Sequence, residues 1–470
     1  MKKRWFLCVI LTLCILVGTL CPAAFAVEGE QSCHGLQAQQ ALDGSNKKLD
    51  TAKVVLLYEL HTKTLVYSYN ADKQINPTGL VKLLTVLVAL EKGNLDDMVK
   101  VYQATLNTVA VGSVSAKLKS GEEMTLRDLL YCIMVYSAND ACAVVAAHIG
   151  GSQEGFAEML NAKATELGCT GSHFTNAHGL NDPDQYSTAR DLAVITLAAL
   201  ENPLFSEMFS ITEYTVEATN KSDARNLKST NHMMRQDKPH YDARVTGGKP
   251  AAASNTDRSM ICTARVGNAE YLCVVMNVKG AVSDNNQVIL RYGIYEEMTA
   301  LLDYASNGFE VRQILDDSQA MYQYSVTGGE NAVILRPSAD VFVVLPKDCN
   351  VEKLTFDHTL VSQTLTAPIA LGQGLGTLTI RYGNLVMGTC DLLAVAAVAS
   401  AGTTIKDAPR LDVPDNNGGD LWKTVFGYAA LVLIGAAVLI VLIVVIVRAV
   451  RSGKIRSQQR RRARNHKRSR

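Results

Sequence analysis

Val425 to Val447 is an uninterrupted run of 23 uncharged, mostly aliphatic residues, and it limits the chain's architecture more than any other stretch. At about 1.5 Å per residue, a helix of this length crosses a hydrocarbon layer about 30 Å thick with some tilt. A buried core helix can be equally apolar, but residues 448–470 follow at once with eleven Lys and Arg and no acid. Such a basic flank stays cytoplasmic, so residues 27 to about 424 are expected on the outer side of a cell membrane crossed once. The charge distribution agrees. The net charge is only +1, yet without the tail and Lys2, Lys3 and Arg4 the rest carries 32 basic against 45 acidic residues, a net of −13. The tail has the composition of a nucleic-acid arm, but topology and anionic lipid explain it more simply.

Residues 1–26 have the three parts of an export signal. Lys2-Lys3-Arg4 is the basic start, Trp5 to Leu20 the apolar stretch, and Ala24-Phe25-Ala26 a small-x-small cleavage site. A short uncleaved anchor is the alternative. Of the eleven cysteines three lie in this segment, and the other eight show no metal-ligand spacing. Cys262 and Cys273 are equidistant from the Gly267-Asn268 turn and would face each other in a hairpin. A disulfide there stays open, because a direct cross-strand bridge is strained and buried cysteines also serve as small apolar residues. The histidines form no zinc pattern, and no phosphate-binding or dinucleotide loop occurs. No metal and no cofactor are expected.

Between the targeting segments, 48% hydrophobic and 19% charged residues argue for folded domains. After a linker (27–50), Val54 to Tyr69 reads as a hairpin turning at His61-Thr62-Lys63. Helical periodicity follows Pro77 and returns over Leu126–His148, Gln153–Leu167 and Thr188–Leu200. Strands are expected at Ser259–Arg265 and Glu270–Asn277, and a helix over Val288–Tyr304. Strands at both ends with helices between predict an α+β domain over 51–310, its sheet closed by the first and last segments. Short β runs over 319–398 predict a small all-β domain. Residues 401–424, rich in Gly, Pro, Asn and Asp, form a stalk.

The motifs carry a resemblance. Asn70-Ala71-Asp72 and Pro77-Thr78-Gly79-Leu80-Val81-Lys82-Leu83-Leu84-Thr85 resemble the nucleophile region of serine D-alanyl-D-alanine carboxypeptidases. These low-molecular-weight penicillin-binding proteins trim the terminal D-alanine from peptidoglycan stem peptides. The likeness continues through Gly121-Glu122, Leu129-Leu130-Tyr131, Ser137-Ala138-Asn139-Asp140, Gly179-Leu180, Tyr186-Ser187-Thr188-Ala189 and Leu301-Leu302-Asp303-Tyr304. It covers about residues 50–310, and the following β segment is similar to the family's second domain. It implies a penicillin-binding-protein/β-lactamase-like transpeptidase domain, a small all-β domain and one transmembrane helix.

The family's chemistry uses three motifs. Ser-x-x-Lys at a helix start puts hydroxyl and amine on one face, so the lysine can take the proton of the attacking serine. Here the serine position is Gly79, while Lys82 remains. Ser-x-Asn is Ser137-Ala138-Asn139, intact. Lys-Thr-Gly corresponds to Lys249-Pro250-Ala251, which keeps the lysine but loses the hydroxyl that grips the substrate carboxylate and the glycine that permits close approach. Thr78 lies at i,i+4 from Lys82 and is the one substitute nucleophile, displaced by a residue. Lys82 could equally be an ion-paired or solvated lysine, and Ser137-Ala138-Asn139 a structural turn. Two functions therefore stand side by side. One is an inactive, membrane-tethered homologue that acts as a cell-wall binding or scaffolding protein, engaging a stem peptide or a cell-wall protein. The other is a carboxypeptidase with rearranged chemistry.

Overall fold

The computed structural model describes residues 41–42, 52–252, 257–279 and 293–401. The export signal, most of the linker, the stalk, the Val425–Val447 span and the basic tail lie outside these residues. Among the described residues no single helix is long and apolar enough to cross a membrane.

The first half folds around a five-stranded antiparallel sheet. Its order is Thr64–Tyr69, Val54–Glu59, Ala269–Lys279, Asp257–Val266 and Val245–Ala252. The first strand of the chain thus pairs with the last of the domain, Val54 opposite Met276 and Glu59 opposite Tyr271. Strand alternation sorts the residues onto two faces. Val54, Leu56, Leu272 and Val274 pack against the helices. Val55, Leu57, Cys273 and Val275 pack against helix Gly293–Gly308 through Met298, Leu301 and Leu302.

The helical layer is built around Val81–Lys92, in which every residue from Val81 to Ala89 is buried. A helix apolar on all sides belongs inside a core, and this one carries Lys82 in with it. Thr125, Ser152 and Thr188 cap the helices Leu126–Met134, Gln153–Glu166 and Ala189–Leu200 by accepting from the third amide on. The sequence predicts one helix over Leu126–His148, but there are two, Leu126–Met134 and Asn139–Gly150. Ser137 breaks them apart by adopting a left-handed φ of +66°. The apolar periodicity runs through the break and hides it.

Cys262 lies directly opposite Cys273, and both are buried free thiols packed in the sheet's outer core.

The β domain starts with strand Phe309–Leu315, paired with Val341–Pro346, ahead of the start at 319 that turn signals suggest. It continues as a five-stranded sheet ordered Tyr322–Tyr324, Val333–Pro337, Leu385–Ala394, Gly374–Tyr382 and Leu354–Leu360. Leu335, Val343, Leu378, Ile380 and Leu392 are fully buried in a core of its own.

Candidate active site

A cleft of about 380 Å³ runs between the helical layer and the free edge of the first sheet. Gly79, Lys82, Ser137, Asn139, His178 and Leu180 line one side, and Thr230, His232, Pro250, Ala251, Arg258 and Tyr295 the other. Residues distant in sequence are thus brought together, seven of them singled out by the motifs.

Gly79 sits in the 3-10 turn Thr78–Leu80 that leads into the Val81–Lys92 helix. The Asn76 side chain fixes this turn by accepting from the Thr78 amide at 2.8 Å. A Cβ built on Gly79 would point into the cleft, 3.4 Å from Lys82 Nζ and 4.0 Å from Ser137 Oγ. The frame for a nucleophile is therefore present without the side chain. Gly179 permits the turn's position. Its φ is +77°, and a Cβ there would lie 1.9 Å from the Thr78 carbonyl oxygen.

Lys82 is buried and donates from Nζ to the His178 carbonyl. Burial holds its ammonium below the usual lysine range, with Cys142 opposing the shift. Burial, and then the Lys82 charge, push His178 down to about 4, so its imidazole is neutral near pH 7. The backbone N–H of Asn139 donates to the Val114 carbonyl at 2.8 Å. The next residue, Asp140, accepts from Ser115 Oγ at 2.7 Å, Ala116 N at 2.9 Å and Leu118 N at 3.1 Å. That ties the segment beside Val114 to the helix start.

Thr78 does not take the serine's place. Its φ is +52°, and its Oγ1 is buried with no hydrogen-bond partner among the described residues. It is not among the residues lining the cleft.

The opposite wall departs further from the motif. Strand Val245–Ala252 is the sheet's edge, where a proline is tolerated because one side of the strand has no neighbour to bond. Pro250 faces Met260 and Ala251 faces Ser259. The Ala251 methyl lies 3.4 Å from the Cβ position of residue 79, so it narrows the cleft at the vacant site. Lys249 is fully buried behind this wall and donates to the Ile133 and Met134 carbonyls at 3.1 and 3.2 Å. Burial, followed by the Lys82 charge, pushes it down to about 7. It is not among the residues that line the cleft, although it feels the charge of Lys82 there.

Arg258, Thr230, His232 and Tyr295 were not singled out from sequence. Tyr295 is stacked between His232 and His240, at 5.2 and 5.4 Å between ring centroids. Its hydroxyl donates to Thr230 O at 3.2 Å, which ties helix Gly293–Gly308 to the Thr230 segment of this wall.

A helix-covered sheet with an edge cleft at a Ser-x-x-Lys-like turn, followed by a β domain, is the architecture of the serine penicillin-binding enzymes. Residues 42–280 match the family model of D-alanyl-D-alanine carboxypeptidase, and residues 309–400 that of the C-terminal domain of penicillin-binding protein 5. The chain belongs to this carboxypeptidase family, the low-molecular-weight penicillin-binding proteins. It is 30% identical to D-alanyl-D-alanine carboxypeptidase DacD of Escherichia coli over 331 residues, 68% of this chain and 80% of that one. It is 26% identical to the DacF carboxypeptidase of Bacillus subtilis over 392 residues, 83% of this chain and 93% of that one. The crystal structure of penicillin-binding protein 5 from Haemophilus influenzae superposes with a TM-score of 0.60 at 25% identity, covering 74% of this chain and 98% of that one.

Proposed function

We propose that this chain is a non-hydrolytic carboxypeptidase homologue, tethered to the membrane, that binds cell-wall stem peptides without cleaving them. One observation carries the reading. At position 79 the lysine and serine partners of a nucleophile are in place around a glycine that has no atom to attack with. Loss of the nucleophile in serine hydrolases costs up to about a million-fold in turnover, and Thr78 is buried outside the cleft. Incubating the full-length chain in detergent with a fluorescent penicillin, beside an intact family member, tests this. The intact enzyme should label and this chain should show no adduct by intact mass. A stable adduct overturns the reading, and its mapping to Thr78 would identify the substitute.

The tether is part of the same proposal and rests on the Val425–Val447 run and the basic residues after it. Protease added to cells without an outer barrier should digest the body and spare an epitope placed after Arg470. Digestion of that epitope would reverse the orientation.

A further inference from the structure

The two ends of the β domain differ in chemistry. One end is made of residues 325–334, 361–373 and 395–400, joined through their backbones. Val395 N donates to Ile334 O at 2.9 Å, Gly372 N to Ala394 O at 2.9 Å, Ile369 N to Val398 O at 3.0 Å and Glu330 N to Ala399 O at 3.2 Å. In these three segments only Glu330 is charged. Four aliphatic side chains nevertheless stand in solvent there, Leu371 at 71% exposure, Val361 at 70%, and Ile334 and Val395 at 40% each. The other end, where strand Leu354–Leu360 begins, is built by residues 347–353 and carries Lys347, Asp348, Glu352 and Lys353. It is joined to helix Gly293–Gly308, because Lys347 donates to Gly308 O from its backbone at 2.9 Å and to Ser306 O from Nζ at 2.7 Å. Single exposed aliphatic residues are ordinary, but several gathered on one charge-free end mark a contact surface.

We propose that this end of the β domain docks on the lipid surface, with Leu371, Val361, Ile334 and Val395 entering the headgroup layer. The occupant is argued from where the chain goes. It leaves the domain at this same end, at residues 398–400, and residues 401–424 lead to the apolar run that begins at Val425. An extended stalk of 24 residues can hold the domain as much as about 80 Å away, so nearness to the bilayer needs a contact of its own. A protein partner is usually met by matched charge and by aromatic or Arg anchors, and these segments offer one acid and no Trp, Tyr or Arg. Aliphatic side chains buried at the headgroup boundary need no such match. The proposal rests on the membrane tether proposed above and adds a second, folded point of attachment.

The test uses the full-length chain reconstituted into vesicles of phosphatidylcholine and phosphatidylglycerol, with or without bromine on the acyl chains near the headgroup. The sequence has two tryptophans, Trp5 in the export signal and Trp422 just before the apolar run. With Trp5→Phe alone, Trp422 reports the tether and should lose fluorescence to the brominated lipid. With both replaced by Phe, Leu371→Trp should also be quenched and shifted to the blue. Val351→Trp, an exposed site at the charged end, should be unaffected. Adding Val361→Asp and Val395→Asp to the Leu371→Trp chain should relieve its quenching. No quenching at Leu371→Trp while Trp422 responds overturns the proposal, and would point to a protein partner for this end. Equal quenching at Leu371→Trp and Val351→Trp overturns it too, as does quenching that survives both aspartates, since the stalk alone would then set the distance. A silent Trp422 would instead sink the tether reading, and this proposal with it. Leu371 and Val351 are exposed, so the comparison between them stands even if the aspartate variants fold poorly.

Discussion

The two walls of the cleft have departed from the carboxypeptidase pattern in different ways. On the helical side one side chain is gone and its surroundings stand, with Lys82 and Ser137 still converging on the empty Cβ position of Gly79. On the strand side the segment itself has changed. Pro250 and Ala251 replace hydroxyl and glycine at two successive positions of the edge strand, while Lys249 beside them is kept. Packing accounts for the contrast. The Val81–Lys92 helix is buried through two and a half turns, and such a core resists change because a lost or added methylene is felt by every neighbour. The edge strand has a free side where backbone and side chains can vary at little cost. Survival of Lys82 therefore does not by itself argue for catalysis. A core lysine bonded to the His178 carbonyl also ties its helix to the segment at His178.

The largest effect that could break this contrast is regained chemistry. Gly79 has no left-handed φ, and a Cβ there makes only ordinary contacts, so Gly79→Ser should fold. It should convert a chain with no adduct into one that acylates slowly with penicillin, as followed by intact mass over hours. If Gly79→Ser stays unreactive while melting like the parent, the helical wall has lost more than one side chain.

A smaller step separates the walls directly. Adding Pro250→Thr and Ala251→Gly to Gly79→Ser restores one hydrogen bond to a charged group and removes the methyl that lines the cleft beside residue 79. Such a bond is worth about 1.5–3 kcal/mol, or roughly tenfold and upwards in rate. The triple variant should therefore acylate at least about tenfold faster than the single one. Equal rates would mean that the strand wall's substitutions are harmless and that Gly79 alone silenced the site.

Much of this was legible in the sequence because it rests on local patterns. The Val54–Tyr69 hairpin, the pairing of first and last strands and the separate β domain follow from alternation and turn residues. Gly79, Lys82, Ser137 and Asn139 were legible through motif spacing. Spacing could not tell what Lys249 is bonded to, since its partners are the carbonyls of Ile133 and Met134, more than a hundred residues away in sequence. Thr230, His232, Arg258 and Tyr295 come from three segments and share no period, so only the fold assembles them. The Val135–Ala138 break was masked by hydrophobic residues that continue the helical pattern on both sides.

The smallest effect concerns the lysine behind the strand wall. A neutral amine has two N–H bonds, and Lys249 has two carbonyl acceptors to match them, with burial pushing it from an ordinary 10.5 down to about 7. The sign follows from proton counting. Between pH 7 and 10.5 the unfolded chain holds a proton on this lysine that the folded chain has released, so stability rises with pH, by at most about 1.4 kcal/mol per pH unit. Below pH 7 both states are protonated and the contribution is flat, at its least favourable. Lys249→Met removes this term while leaving the Lys82 contribution, which has the same sign. Urea unfolding at several pH values between 6 and 10 should give a shallower rise for Lys249→Met than for the parent, whatever their absolute stabilities. Parallel curves would mean that Lys249 stays charged throughout.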